Sequence, residues 1–260
     1  MKRFLATCLL LAGCALAQAA PLKVGGFVVA PLISGQPGVP LHGVLRDFME
    51  LHVAGRGVAL EWMPPSSLSR AMESLRNGSL DILLLTSGSQ DRGPGIGSFD
   101  WTYLRTQPHL AVRRDSPLQS VATLQALAGM EIGWVAGSEI PEGLNRVPIR
   151  WQRLAATDWQ AANLRKLQAG RMDAAFFENE FSPRYYAQRE GVDVRLLRLP
   201  MAERHFFMAY SLKADPKAIA QFDKVAGAAF ADEQFRQFLE QAMRRQASVR
   251  WRTDGAVAGR

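Results

Sequence analysis

Leu75-Arg-Asn-Gly78-Ser-Leu-Asp81, followed by Ile82-Leu-Leu-Leu85, returns later in the chain as Leu167-Gln-Ala-Gly170-Arg-Met-Asp173, followed by Ala174-Ala-Phe-Phe177. Each copy reads as a helix stopped by a glycine, because glycine tolerates the left-handed backbone of a helix C-cap, and then as a tight turn into a short apolar strand. A helix, glycine, aspartate and strand unit that occurs twice predicts two similar α/β lobes. Open α/β sheets bind ligands beyond the carboxyl ends of their strands, so two facing lobes would enclose one cleft.

Working outward from the first copy, Lys23 to Ala30 reads as a buried first strand, followed by a Gly- and Pro-rich loop to Gly43. Val44, Phe48 and Leu51 recur at helical spacing, and Val58 to Trp62 reads as a second strand. Ser66 or Ser67 can cap the helix that puts Leu68, Ala71, Met72 and Leu75 on one face. Ile82 to Leu85 lacks polar alternation, as a strand covered on both faces does. Leu110 to Arg113 reads as a strand leading out of the first lobe, Ser120 as a further cap, and Met130 to Val135 as the first strand of the second lobe. A helix is expected after Pro141, and another from Asp158 to Ala169 with Thr157 and Gln160 at capping-box spacing. Val194 to Leu199 and Phe206 to Leu212 are read as strands returning to the first lobe. From Pro216, Ile219, Phe222, Ala226, Phe230, Phe235 and Phe238 repeat at helical intervals.

The expected organisation is therefore a leader at 1–20, a first lobe from 21–109 plus 201–246, an inserted second lobe at 110–200, and a weakly ordered basic tail at 247–260. The chain would cross between lobes twice. The fold class is α/β, each lobe a mixed, mostly parallel sheet flanked by helices.

Of the 260 residues 48% are hydrophobic and 21% charged, which excludes a largely disordered chain. Met1-Lys2-Arg3, the apolar run to Ala17 and the small residues to Ala20 read as an export signal, too short for a membrane anchor. Both cysteines, Cys8 and Cys14, fall inside it, so the mature chain is expected to hold without disulfides. Leu11-Ala12-Gly13-Cys14 also resembles a lipoprotein cleavage box, with Cys14 as the anchored residue; Ala17-Gln-Ala-Ala20-Pro21 is an ordinary cleavage site. Arginine supplies most of the formal charge of +7 and is scattered, without the basic, aromatic-interleaved stripe of a nucleic-acid binder. His42, His52, His109 and His205 lack metal-ligand spacing, and no nucleophile elbow or phosphate loop occurs. Gly93-Pro-Gly-Ile-Gly97 is read as a flexible connection. No cofactor, metal or nucleic-acid partner is expected.

The leader, the early strand, the two Leu-x-x-Gly-x-x-Asp units, Phe99-Asp-Trp-Thr-Tyr103 with the strand to Arg113-Arg-Asp-Ser-Pro117, and Ile132-Gly-Trp-Val-Ala-Gly-Ser138 together resemble the type II periplasmic solute-binding proteins of the polar-amino-acid transporter class, family 3. The resemblance spans roughly Leu22 to Met243. It implies a periplasmic monomer whose cleft closes on a small polar or amino-acid-like ligand and presents it to an inner-membrane ABC permease. Arg92 would grip a ligand carboxylate through its planar fork. Thr86, Ser87 and Ser89 end the same strand, and their hydroxyls could complete the site or simply form a turn.

From the second lobe, Gly137-Ser138 matches a family step where amides near a helix N-terminus favour an anion. Glu178 stands where family members usually carry an aspartate for the ligand ammonium, with Glu180 as an alternative. Trp134, Tyr103 and Trp101 are the aromatics placed to compensate for those missing at Ala30-Pro31-Leu32 and Leu68. Two other readings share the cleft: a dehydratase-like enzyme using Glu178 as general acid or base, and a ligand-sensing accessory protein without transport.

Overall fold

The computed structural model describes residues 20–87 and 93–257, with residues 246–257 described by backbone alone. The first lobe begins with β1 (Leu22–Gly25), α1 (Val44–His52), β2 (Leu60–Trp62), α2 (Leu68–Asn77), β3 (Ile82–Thr86), β4 (Ile96–Ser98) and β5 (Leu104–Thr106). The second lobe contains β6 (His109–Arg113), β7 (Glu131–Val135), β8 (Arg150–Leu154), α3 (Trp159–Gln168), β9 (Ala174–Phe177), α4 (Phe181–Glu190) and β10 (Val194–Arg198). The chain then returns through β11 (Arg204–Ser211), α5 (Pro216–Ala229) and α6 (Gln234–Val257).

Two separate sheets result, in the orders β2-β1-β3-β11-β4, with β5 also on β11, and β10-β6-β9-β7-β8. Each is mixed rather than mostly parallel. The strands β1, β2 and β3 run parallel, as do β7, β8 and β9, while β11 pairs antiparallel with β3, β4 and β5, and β6 antiparallel with β9 and β10. The strands carried by the duplicated unit are both central and fully buried. In β9 the pleat sends Phe176 into the cluster of Trp134 and Leu197, and Phe177 into the one under α3 with Leu164 and Tyr186. In the first lobe Phe48 of α1 meets Phe230 and Phe235, and Leu75 of α2 packs against Leu83 and Ala209.

The duplicated unit does the same work in both lobes. Gly78 (φ 81°) and Gly170 (φ 67°) adopt the left-handed backbone that a side chain would strain. Each aspartate then ties its turn to the first parallel strand of its sheet. Asp81 Oδ2 accepts from Lys23 N–H at 2.8 Å and Asp173 Oδ2 from Glu131 N–H at 2.7 Å, while the aspartate N–H groups donate back to the carbonyls of Lys23 and Glu131 at 2.9 Å each.

Several elements differ from the sequence reading. The first strand ends at Gly25 instead of Ala30. Ser120 and Pro141 introduce no α-helix, only short 3-10 turns at Leu124–Leu127 and Leu144–Arg146. The α3 N-cap is Asp158, without the expected capping box. The end of the glycine stretch, read as a flexible connection, enters β4 at Ile96–Ser98. Strand β10 pairs with β6 and so stays in the second lobe; β11 alone of the two expected strands returns. The backbone of α6 continues helically to Val257, through most of the stretch expected as a weakly ordered tail. Helix α4 was not legible because its buried face includes Ser182 and Pro183; proline is tolerated there in the first turn, where Asn179 Oδ1 receives the N–H groups of Phe181 and Ser182.

Candidate functional site

The chain passes between the sheets at residues 107–108, after β5, and at residues 199–203, before β11. These crossings are bonded side by side: Leu199 N–H donates to Pro108 O at 3.0 Å, and the Gln107 amide donates to Leu199 O at 3.2 Å and Met201 O at 2.9 Å. Thr106 Oγ1 donates to Glu178 O at 2.7 Å, joining the first crossing to the end of β9.

Between the lobes lies a cleft of about 860 Å³ lined from both sides. Such a volume lies within the range of small-molecule sites. Lobe one supplies Phe27, Leu68, Ser69, Met72, Arg76 and Ser87; lobe two supplies Trp134, Gly137, Ser138, Trp159, Gln160 and Glu178; Arg204 and Phe206 enter from the start of β11. Apolar and aromatic side chains share its lining about equally with polar ones, and its charged groups gather in two places.

The first is a group formed by Ser87, Glu178 and Arg204. Ser87 Oγ lies 3.0 and 2.9 Å from the two Glu178 oxygens, so a hydroxyl from lobe one bonds a carboxylate from lobe two. Arg204 Nε donates to Glu178 Oε1 at 3.0 Å and its Nη2 lies 2.8 Å from the same oxygen; Nη2 also reaches Ser87 Oγ at 3.4 Å. The arginine and glutamate side chains are 20% and 12% exposed, so the pair sits in a medium that screens it less than water does. Arg204 Nη1 makes no hydrogen bond to a described residue, which leaves two N–H donors on the guanidinium.

The second group lies at the rim. Arg76 pairs only loosely with Glu73, at 3.6 Å with both side chains largely exposed, a geometry worth little energy. Glu139 and Glu142 line the opposite lobe, and Glu142 pairs with Arg146 at 3.6 Å.

The residues singled out in sequence separate clearly. Ser87, Glu178, Ser138 and Trp134 all line the cleft. Trp134 does so as part of the lobe-two core, its ring edge-on to Trp159 and Phe176. Thr86 lines the cleft as well, but its hydroxyl donates to Phe207 O at 2.9 Å. Gly137-Ser138 forms a turn and not the start of an α-helix, and the Ser138 carbonyl receives Arg153. Gly137 has φ 85°, and a Cβ there would lie 2.8 Å from Ser69 Oγ of the other lobe, so glycine permits the lobes to approach.

Tyr103, expected at the ligand, is buried instead against Phe230 and Phe235, and burial raises its phenol well above the ordinary value. Trp101 stacks on Phe99 and Phe230 and donates to Asp223 at 2.7 Å, also away from the cleft. Glu180 faces the crossing, not the cleft: it accepts from Gln107 N–H at 3.3 Å and from Arg236 of α6 at 3.3 Å. Arg92 and Ser89 lie outside the described residues.

Sequence reasoning missed Arg204 and Arg76. Arg204 lies far from Glu178 in the chain, and only the antiparallel return of β11 brings them together. Arg76 lies inside the first duplicated unit, two residues before the capping glycine, on the face of α2 that lines the cleft with Leu68, Ser69 and Met72.

Among the described residues no group of three or more His, Cys, Asp or Glu could hold a metal ion, and no helix is long and apolar enough to cross a membrane.

No protein-family model matches the sequence, and no curated protein matches it. Solved structures do match. The substrate-binding protein of an amino acid ABC transporter superposes with a TM-score of 0.68 at 16% identity, over 85% of this chain and 98% of that one. An ancestral arginine-binding protein bound to arginine gives 0.68 at 17% identity, over 85% and 97%. The ancestral amino acid-binding protein AncCDT-1, a precursor of cyclohexadienyl dehydratase, gives 0.66 at 16% identity, over 85% and 94%. At such identities the likeness is one of fold, and it agrees with the two mixed sheets, the paired crossings and the cleft between them. The chain has the two-lobed type II fold of the periplasmic substrate-binding proteins.

Proposed function

We propose that this chain is an exported solute-binding protein that encloses a small polar, amino-acid-like molecule between its lobes and delivers it to an inner-membrane ABC permease. The observation that carries this reading is the single cleft lined from both lobes, with Ser87 of one lobe bonded to Glu178 of the other at its floor. A ligand that touches both walls binds the closed arrangement better than an open one and so shifts the population toward closure, the hinge motion long described for periplasmic binding proteins. The two bonded crossings are the hinge. Arg76 at the rim and Arg92 after β3 are the cations proposed to draw in a carboxylate, and Ser138 and Trp134 complete the lobe-two wall. The leader read at 1–20 supports the periplasm as its compartment.

The test is a thermal-shift screen of the mature chain over amino acids, organic acids, polyamines and short peptides. A ligand at a hundred times its Kd adds about 2.7 kcal/mol to stability, which raises Tm by roughly 5 to 10 °C in a chain of this size. A hit recovered unchanged after incubation supports capture; conversion of the hit, lost in Glu178→Gln, would instead support the dehydratase-like enzyme reading, to which the likeness to AncCDT-1 lends its one specific argument. A screen without a hit argues against both.

A further inference from the structure

The floor of the cleft carries an ion pair that is already complete. Glu178 is the carboxylate a ligand would meet there, yet Arg204 approaches one of its oxygens with two nitrogens and Ser87 spans both. Arg204, the more exposed partner, is bonded through Nε and Nη2, and among the described residues no acceptor meets its Nη1. A ligand ammonium at this floor would add a second cation beside Arg204 and compete for an occupied carboxylate. Attraction to one member of the pair and repulsion from the other largely cancel, so the cost of stripping water from the ammonium is left uncompensated. A ligand oxygen instead finds two unused N–H donors on a guanidinium whose rotamer is held in advance, so little side-chain freedom is lost on binding. Phe27, Leu68, Met72, Trp159 and Phe206 line the same cleft and offer apolar surface to the rest of such a ligand.

We infer that Arg204 is the specificity-determining residue of the cleft, held by Glu178 and Ser87 so that its Nη1 edge receives the carboxylate of an apolar carboxylic acid lacking an α-ammonium group. The inference rests on the solute-binding reading above and narrows its ligand class. Glu178 acts through Arg204, as a positioning residue.

Matched pairs titrated calorimetrically into the mature full chain decide the matter: 3-phenylpropanoate against L-phenylalanine, 4-methylpentanoate against L-leucine, and glutarate against L-glutamate. In at least one pair the acid binds about tenfold or more tightly than its amino acid. Arg204→Met weakens that acid by between about tenfold and a hundredfold, the range for a charge-assisted hydrogen bond. Glu178→Gln, which keeps the arginine charge but loosens its hold, gives a smaller loss. Because Arg204→Met strands a carboxylate, the charge-neutral double variant Glu178→Gln with Arg204→Met is measured beside it, and it too loses the acid. Amino acids that bind as tightly as their acids in every pair that binds, or a preferred acid that binds the double variant as it binds the parent, overturn the inference while leaving the solute-binding reading standing. Failure of every member of every pair to bind, with no hit in the wider screen, removes that reading and the inference together.

Discussion

The two copies of the Leu-x-x-Gly-x-x-Asp unit reach the same structure and leave it in different ways. In lobe one and lobe two alike, a left-handed glycine ends the helix and an aspartate carboxylate accepts an N–H near the start of the neighbouring parallel strand, at 2.8 and 2.7 Å. Past their strands the copies part: β3 delivers Ser87, and β9 delivers Glu178. What is duplicated holds the sheets together, and what is not duplicated meets in the cleft. Architecture and chemistry are thus written in adjacent but separate stretches of the chain.

Changes at the exits should have the largest effect. Arg204→Ala leaves the mostly buried Glu178 carboxylate with Ser87 as its main partner, and we expect a loss of about 2 to 3 kcal/mol in chemical denaturation, at the lower side of what breaking a buried pair costs because the site is partly solvated. A loss below about 0.5 kcal/mol would place the pair among ordinary surface contacts.

Asp81→Ala and Asp173→Ala sharpen the other half of the comparison. Each removes one charge-assisted bond to a backbone N–H and should cost about 1 to 2 kcal/mol, discounted for exposure, with the two values within about 0.5 kcal/mol of each other. A clearly unequal pair of values would show that the copies are alike in sequence but not in structural role.

Gly137→Ala tests whether the lobes approach as closely in solution. The strained φ and the contact with Ser69 Oγ predict a loss of about 1 kcal/mol, together with weaker binding of any cleft ligand. Unchanged affinity would mean that the lobe-two turn stays clear of α2 when ligand is bound.

The smallest expected effect distinguishes the lobes by pH. Glu190 of α4 ties that helix to α3 through Arg165 and also pairs with its neighbour Arg189. Burial alone would raise its carboxyl, but the bonds from the two arginines outweigh burial and hold it below its ordinary value of 4.5. The clamp therefore stabilises the fold above the unfolded-state value and is lost as pH falls through the lower folded-state value. Glu190→Gln should flatten the acid limb of the stability profile by less than about 1 kcal/mol, seen in denaturation midpoints between pH 7 and pH 3. An acid limb identical to the parent's would show that the clamp is already broken at neutral pH.

The scaffold was largely legible in the sequence because its signals are local. A glycine in the αL region, an aspartate after it and an unbroken apolar strand announce themselves within a few residues, as does the Ser67 cap of α2, whose hydroxyl accepts from Arg70 N–H. One element without local periodicity escaped, α4, whose buried face includes serine and proline, and β10 was read as a strand but given to the wrong lobe, because its pairing with β6 is a long-range contact. The site was legible only in part. Glu178 and Ser87 followed from the repeat, because each sits just past its strand. Arg204 did not, because its partner is brought to it by a strand that returns from the far side of the inserted lobe, a contact no local pattern encodes. Tyr103 was misassigned for the converse reason: an aromatic in a loop-like stretch looks the same in sequence whether it faces a cleft or packs against Phe230 and Phe235.

The comparison between repeat and exits comes down to calorimetric affinity for the best solute of the screen, measured on two pairs of substitutions. With Glu178→Gln and Arg204→Met combined, affinity should fall about tenfold or more while the unliganded Tm stays within a few degrees of the parent. Asp81→Ala combined with Asp173→Ala should do the opposite, lowering the unliganded Tm while affinity holds. If the aspartate pair abolished binding at temperatures where the chain is still folded, or the Glu178 and Arg204 pair left binding intact, the division between a duplicated scaffold and a unique cleft floor would be wrong.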